Sequence, residues 1–159
     1  MRLLKIAYID YSINTRSLDI FTVGCNGSCK GCFNQELKDW NSDGLSLEES
    51  VFKIRELYNK FERLIDKFII VGGDPIDAEI ETDGAISVLI DDIKEFSSKP
   101  VFVFTRHDLS SIPSSIFKRA DYIKCGAYKP ELTTDDNIQY DIKLATSNQK
   151  IFKKGLNYD

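Results

Sequence analysis

The chain has 159 residues, 42% of them hydrophobic, which is enough for a single domain over 1–159 and too few for two. With a net charge of −4, the chain shows no excess of basic residues for nucleic-acid binding. Its apolar runs are far too short to cross a membrane. The first residues show no secretion signal, so we expect a cytoplasmic protein with reduced thiols, in which clustered cysteines indicate metal binding or catalysis.

Apolar segments predict strands and helices that alternate along the chain. Two short strands are predicted over 3–9 and 19–23, and an amphipathic helix over 46–66 opens on a capping box of Ser46 and Glu49. The further predicted elements are a strand over 68–71, a helix over 83–97, a strand over 101–104, a short helix over 109–118, a strand over 122–124 and a weaker strand over 139–146. This alternation implies parallel βαβ units. We expect an α/β fold, an open partial (β/α) barrel of parallel strands, with a flat doubly wound sheet as the alternative.

Three cysteines follow the second predicted strand: Cys25, Cys29 and Cys32, spaced C-x3-C-x2-C. Three thiolates from one short loop hold three irons of a 4Fe–4S cluster and leave the fourth iron open for a substrate or cofactor. Glycines at three positions of this loop suit a backbone that folds closely around a cluster. The alternative is a structural zinc site completed by Cys125 or His107, although zinc sites more often show paired Cys or Cys/His units.

Gly72-Gly73-Asp74-Pro75 follows the strand predicted over 68–71. Loops at the carboxyl ends of parallel strands gather at one edge, so this turn and the cysteine loop are expected to lie together. A backbone without side chains lets an amino-acid-like ligand approach closely, and strand-end carbonyls with Asp74 would accept from its ammonium group. On its own, the same sequence would be a strand-ending turn.

These motifs resemble those of the radical S-adenosylmethionine (SAM) enzymes, in the cysteine spacing and in a Gly-Gly-Asp strand end similar to their GGE/GGD motif. Within that superfamily the chain resembles the anaerobic ribonucleoside-triphosphate reductase activating proteins. The likeness rests on the short length and on Gly31, Cys32-Phe33-Asn34, Trp40 with Asp43-Gly44, residues 121–132, and Thr146-Ser147-Asn148-Gln149-Lys150. Thr105-Arg106-His107 departs from it, because Thr-Gly-aromatic is usual there.

The resemblance implies an oxidoreductase that cleaves SAM to a 5′-deoxyadenosyl radical and activates a glycyl-radical enzyme under anaerobic conditions. The implied partner is the large subunit of anaerobic ribonucleoside-triphosphate reductase, and the implied electron donor is reduced flavodoxin or ferredoxin; a homodimer is compatible with it. The implied cluster ligands are Cys25, Cys29 and Cys32, and the implied SAM-site residues are Phe33, Asn34, Gly72, Gly73 and Asp74.

Two other functions remain open from the sequence. One is a radical SAM enzyme that acts on a small molecule, such as the 7-carboxy-7-deazaguanine synthase type. The other is a metal-binding or iron–sulfur module without catalysis. The sequence assigns no role to Arg106 or His107, and Cys125 is most simply a small buried hydrophobe.

Overall fold

A computed structural model describes residues 1–28, 32 and 35–159. These residues form a mixed α/β fold around a six-stranded, largely parallel sheet. The strands are β1 (Ile6–Ser12), β2 (Ser17–Thr22), β3 (Lys67–Gly72), β4 (Val101–Phe104), β5 (Tyr122–Cys125), β6 (Ile138–Gln139), β7 (Ile142–Lys143) and β8 (Lys150–Lys153). The α-helices are α1 (Leu47–Phe61), α2 (Pro75–Glu81), α3 (Ala85–Phe96) and α4 (Ser114–Phe117).

The sheet has the strand order β1-β2-β3-β4-β5-β8. Strands β2 to β5 are parallel and follow one another in chain order, so the carboxyl ends of all four lie at one edge. The two outer strands are antiparallel to their neighbours, β1 to β2 and β8 to β5. The loops that leave β2, β3, β4 and β5 therefore begin side by side.

The two faces of the sheet are covered differently. The larger hydrophobic cluster lies between one face and the helices, and includes Phe68 and Ile70 of β3 with Ile54 of α1 and Leu89 of α3, all without exposed surface. On the other face, a smaller cluster joins the sheet to Ile142, Leu144 and other residues of the C-terminal part of the chain. The continuous apolar run of β3 follows from this, because both of its faces are covered.

The capping box at the start of α1 is present. The Ser46 hydroxyl accepts from the Glu49 amide at 3.1 Å, and the Glu49 carboxylate accepts from the Ser46 amide at 3.1 Å. The helix ends at Phe61, earlier than predicted, and continues as a 3-10 turn over Glu62–Leu64. None of the described helices is long and apolar enough to span a bilayer.

Several predicted elements differ from the structure in extent. The helix predicted over 83–97 is α3, but the separate helix α2 that precedes it was not predicted. The region 109–118 forms a 3-10 turn, Leu109–Ser111, and the four-residue helix α4.

The single strand predicted over 139–146 is wrong. Tyr140 and Asp141 have positive φ angles of 49° and 63° and form the turn of the small β6–β7 hairpin. The strand that completes the main sheet is β8, farther along the chain, and the sequence did not predict it.

Candidate metal centre

A cleft of about 150 Å³ opens at the edge where the parallel strands end. Cys25, from the loop after β2, and Cys32 both line it, and both are partly buried. Gly72, Gly73 and Asp74, at the end of β3, line the same cleft. The structure thus brings the two sequence motifs together, as expected from a parallel sheet. Cys29, Phe33 and Asn34, which the sequence also singled out, lie outside the described residues.

The backbone around Cys25 supplies one hydrogen-bond donor to its sulfur. The Gly27 amide donates to Cys25 Sγ at 3.2 Å. Burial raises the pKa of the Cys25 thiol, and the Gly27 amide and Arg106 oppose that rise. Cys25 and Cys32 are free thiols, so both are available to a metal that displaces their protons.

Gly73 packs directly against the cysteine loop. A Cβ atom added at Gly73 would lie 2.2 Å from the Gly24 carbonyl oxygen, so no side chain fits there without moving the loop. Backbone hydrogen bonds join the same segments, from the Gly73 amide to the Thr22 oxygen at 2.9 Å and from the Asp74 amide to the Gly24 oxygen at 2.8 Å. The Gly-Gly turn therefore sets the position from which the cysteine loop departs.

Asp74 is buried, and its carboxylate already accepts several hydrogen bonds. It caps α2 by accepting from the Ile76 amide at 2.9 Å. It also accepts from the Thr105 hydroxyl at 2.8 Å and from the Arg106 amide at 3.0 Å, both at the end of β4. Burial raises the pKa of Asp74, and these donors oppose that rise. A ligand ammonium group would compete with them for the carboxylate oxygens.

Asp77, in the first turn of α2, is a site residue that the sequence analysis missed. Its carboxylate accepts from the Asn26 amide at 2.9 Å and from Arg106 Nη2 at 2.9 Å, and lies 2.8 Å from His107 Nε2. Burial raises the pKa of Asp77, but the Asn26 amide, His107 and Arg106 together hold it below its ordinary value. The sequence signal for Asp77 was an acidic residue three positions after Asp74, together with the Arg-His pair that follows the next predicted strand.

Another part of the cleft lining comes from the end of β5 and from the C-terminal part of the chain. Gln149 Nε2 donates to the Gly126 oxygen at 3.3 Å, and Asn148 Nδ2 donates to the Ala127 oxygen at 2.9 Å. Lys124 Nζ donates to the Gly126 oxygen at 3.2 Å. Two sequence patches far apart in the chain therefore meet here.

The described geometry does not favour the zinc alternative. Cys125 is 5% exposed and belongs to the main hydrophobic cluster, where burial raises its pKa to about 12. His107 is bound to Asp77. In the described part of the chain, the candidate metal donors that lie close together are Cys25, Asp74 and Asp77, and both carboxylates already bind other groups.

The fold and the cleft define a protein with free thiols at the strand ends of a largely parallel α/β sheet, which is a setting for a metal centre. A model of the family described as "4Fe-4S single cluster domain" matches residues 15–152, which is most of the chain, and the protein belongs to that family. The prediction of an iron–sulfur protein with a 4Fe–4S cluster is confirmed at this level. A comparison with curated proteins finds no match.

Proposed function

We propose that the protein is a radical SAM activase that generates a glycyl radical on anaerobic ribonucleoside-triphosphate reductase. The observation that carries this proposal is the shared cleft of Cys25, Cys32 and the Gly72-Gly73 strand end. Two thiols and a strand-end backbone without side chains line one cleft, which supports a cluster and a ligand bound next to each other. The motif spacing and the patches at 121–132 and 146–150 support the particular activase group by resemblance.

The cluster ligands in this proposal are Cys25, Cys29 and Cys32, with the described thiols of Cys25 and Cys32 facing one cleft. Held by these ligands, a 4Fe–4S cluster would provide the single electron for reductive cleavage of the SAM sulfonium to methionine and a 5′-deoxyadenosyl radical, which would take a hydrogen atom from a glycine of the reductase large subunit to give 5′-deoxyadenosine and a glycyl radical. Reduced flavodoxin or ferredoxin is the proposed electron source.

The chain's own residues would bind and orient SAM. The backbone at Gly72 and Gly73 lines the cleft and would face the methionine end of the ligand. Phe33 and Asn34 remain proposed contacts by resemblance. Gln149 and its bonded loop at Gly126 line another part of the cleft. An open partial (β/α) barrel is the proposed architecture, supported by the sequential order of β2 to β5.

The test is an anaerobic assay of the reconstituted protein with SAM and a reductant, followed by addition of the reductase large subunit. We expect 5′-deoxyadenosine by chromatography and a glycyl-radical doublet by electron paramagnetic resonance (EPR). Cys29→Ala is expected to abolish both while the fold remains. Cys125→Ala is the matched control, because that thiol lies in the hydrophobic cluster and is expected to be unnecessary for SAM cleavage.

Each alternative function has its own outcome in this assay. Cleavage of SAM without a glycyl radical on the reductase would favour an enzyme that acts on a small molecule. A cluster that forms without any cleavage would favour a non-catalytic iron–sulfur module. If Cys29→Ala cleaved SAM at the wild-type rate, the three-cysteine loop would not take part in the mechanism.

A further inference from the structure

We propose that Arg106 is a positioning residue for the cysteine loop, and that its guanidinium, held by Asp77 against the Cys25 segment, raises the reduction potential of the cluster. The proposal rests on cluster ligation by Cys25. It does not depend on SAM cleavage or on the reductase partner.

The Arg106 side chain is fixed by two carboxylates of the neighbouring strand end. Its Nη2 atom donates to both oxygens of Asp77, at 2.9 and 3.2 Å. Its Nε atom lies 3.8 Å from Asp74 Oδ2. The side chain is 27% exposed, against 5% for Asp77 and 2% for Asp74, so water screens these charges only in part.

The cysteine loop lies directly on this side chain. A Cβ atom added at Gly27 would be 2.4 Å from Arg106 Nε and 2.6 Å from Arg106 Cδ, so the loop approaches closely only because residue 27 is a glycine. One residue earlier, the Asn26 amide donates to Asp77. Asp77 therefore holds the loop backbone and the arginine that supports it at the same time.

The arginine lies close to Cys25 through Gly27. The Gly27 amide donates to Cys25 Sγ at 3.2 Å, and the same glycine packs against the Arg106 guanidinium. Arg106 Nε is buried and has no hydrogen-bond acceptor among the described residues. A donor and a positive charge next to a cluster thiolate stabilise the reduced, more negative state, which raises the reduction potential.

The experiment is an EPR-monitored potentiometric measurement on anaerobically reconstituted protein without SAM, together with iron content per chain. We expect Arg106→Gln to shift the midpoint potential downward and to lower cluster occupancy. Arg106→Lys, which keeps the charge, is expected to recover part of the potential. Asp77→Asn keeps one acceptor oxygen for Arg106 but removes a negative charge near the cluster, so it is expected to shift the potential upward.

Arg119→Gln is the matched control, since Arg119 pairs with Asp91 on the helical side of the sheet and is expected to leave the potential unchanged. Unchanged potentials in both Arg106→Gln and Asp77→Asn would overturn the proposal, even if iron content fell. That result is expected if Arg106 only supports the loop and has no electrostatic effect on the cluster. Opposite shifts in the two variants would support it. Loss of SAM cleavage in a wild-type protein with a normal cluster would overturn only the proposed function.

Discussion

Gly73 occupies a position in the cleft where even one methyl group meets backbone. In Gly73→Ala the new Cβ would lie 2.2 Å from the Gly24 oxygen and 2.8 Å from the Gly24 nitrogen, so the cysteine loop must move. We expect a loss of about 2 kcal/mol in the free energy of unfolding and a marked fall in iron per chain. Iron analysis and the visible absorption of the reconstituted protein measure the second effect.

Gly84→Ala is the control for this prediction. Gly84 has a φ of 97° at the start of α3, and a Cβ there would meet nothing within 4 Å. The strain of that backbone costs about 1 kcal/mol, but cluster loading is expected to stay normal. Equal iron content in Gly73→Ala and wild type would show that the contact with Gly24 is not needed for the cysteine loop to support cluster binding.

Asp19 supplies a prediction on pH dependence. Burial, followed by the charge of Asp10 on the neighbouring strand, raises its pKa to about 6, while Ser17 lowers it. Because the folded state holds this proton more tightly than the unfolded state, stability falls as pH rises from about 4 to 6. Asp19→Asn is therefore expected to stabilise the protein at pH 7.5, by about 1 kcal/mol after allowing for partial exposure, and hardly at all at pH 4.

Urea unfolding of the cluster-free protein at the two pH values measures this difference. Asp135→Asn serves as the control, because that carboxylate is almost fully exposed and its replacement is expected to have little effect at either pH. A gain from Asp19→Asn of the same size at pH 4 and pH 7.5 would mean that the ionisation of Asp19 is not its cause.

The site residues differ in how far the sequence could reveal them. The cysteines and the Gly-Gly pair could be predicted as site residues because their spacing and type carry meaning within a few positions, and Cys25, Cys32 and both glycines line one cleft. Asp77 was not predicted and Arg106 was given no role, because their ion pair joins residues 29 positions apart and depends on how two strand ends align. Asp74 was correctly placed at the cleft, yet its hydrogen bonds to Thr105 and Arg106 follow from tertiary packing.

The capping box at the start of α1 is expected to contribute measurably to stability. Ser46 caps the helix through its hydroxyl, and Ser46→Ala is expected to lower the free energy of unfolding by about 1 kcal/mol. Urea unfolding measures the loss. Ser98→Ala, at an exposed serine beyond the end of α3, is expected to change stability very little. A loss in Ser46→Ala no larger than in this control would mean that the capping box contributes nothing measurable.

The long amphipathic helix and the buried strands were predictable because their apolar periodicity spans many residues. Helix α2 was missed because Asp74-Pro75 is also common in turns; here Asp74 is the N-cap and Pro75 the first helical residue. Strand β8 was missed because it has only two apolar residues between two lysines, which is too short a pattern to predict a strand. Only pairing with β5 makes Lys150–Lys153 a strand, and that pairing brings together segments distant in sequence.

In the whole molecule, the cysteine loop and the hydrophobic core are largely separate. Neither Cys25 nor Cys32 belongs to either hydrophobic cluster of the described residues, and the main cluster joins β2 to β5 with the helices. Removal of the cluster by an oxidant and a chelator is therefore expected to leave one cooperative thermal transition. The midpoint should fall, because a bound cluster stabilises the folded state by linkage.

Ile70→Ala provides the comparison for cluster removal, because Ile70 lies in the central strand β3 with no exposed surface. Its truncation is expected to cost about 3 kcal/mol, more than loss of the cluster. Circular dichroism of both cluster-free proteins during heating measures the two effects. If the wild-type chain without its cluster gave no cooperative transition, the cluster would be part of what folds the sheet. A retained transition would instead mean that the sheet folds first and that the cluster assembles on it afterwards. The Gly24–Gly73 contact and the hydrogen bond from the Asn26 amide to Asp77 would then fix the cysteine loop before the cluster binds.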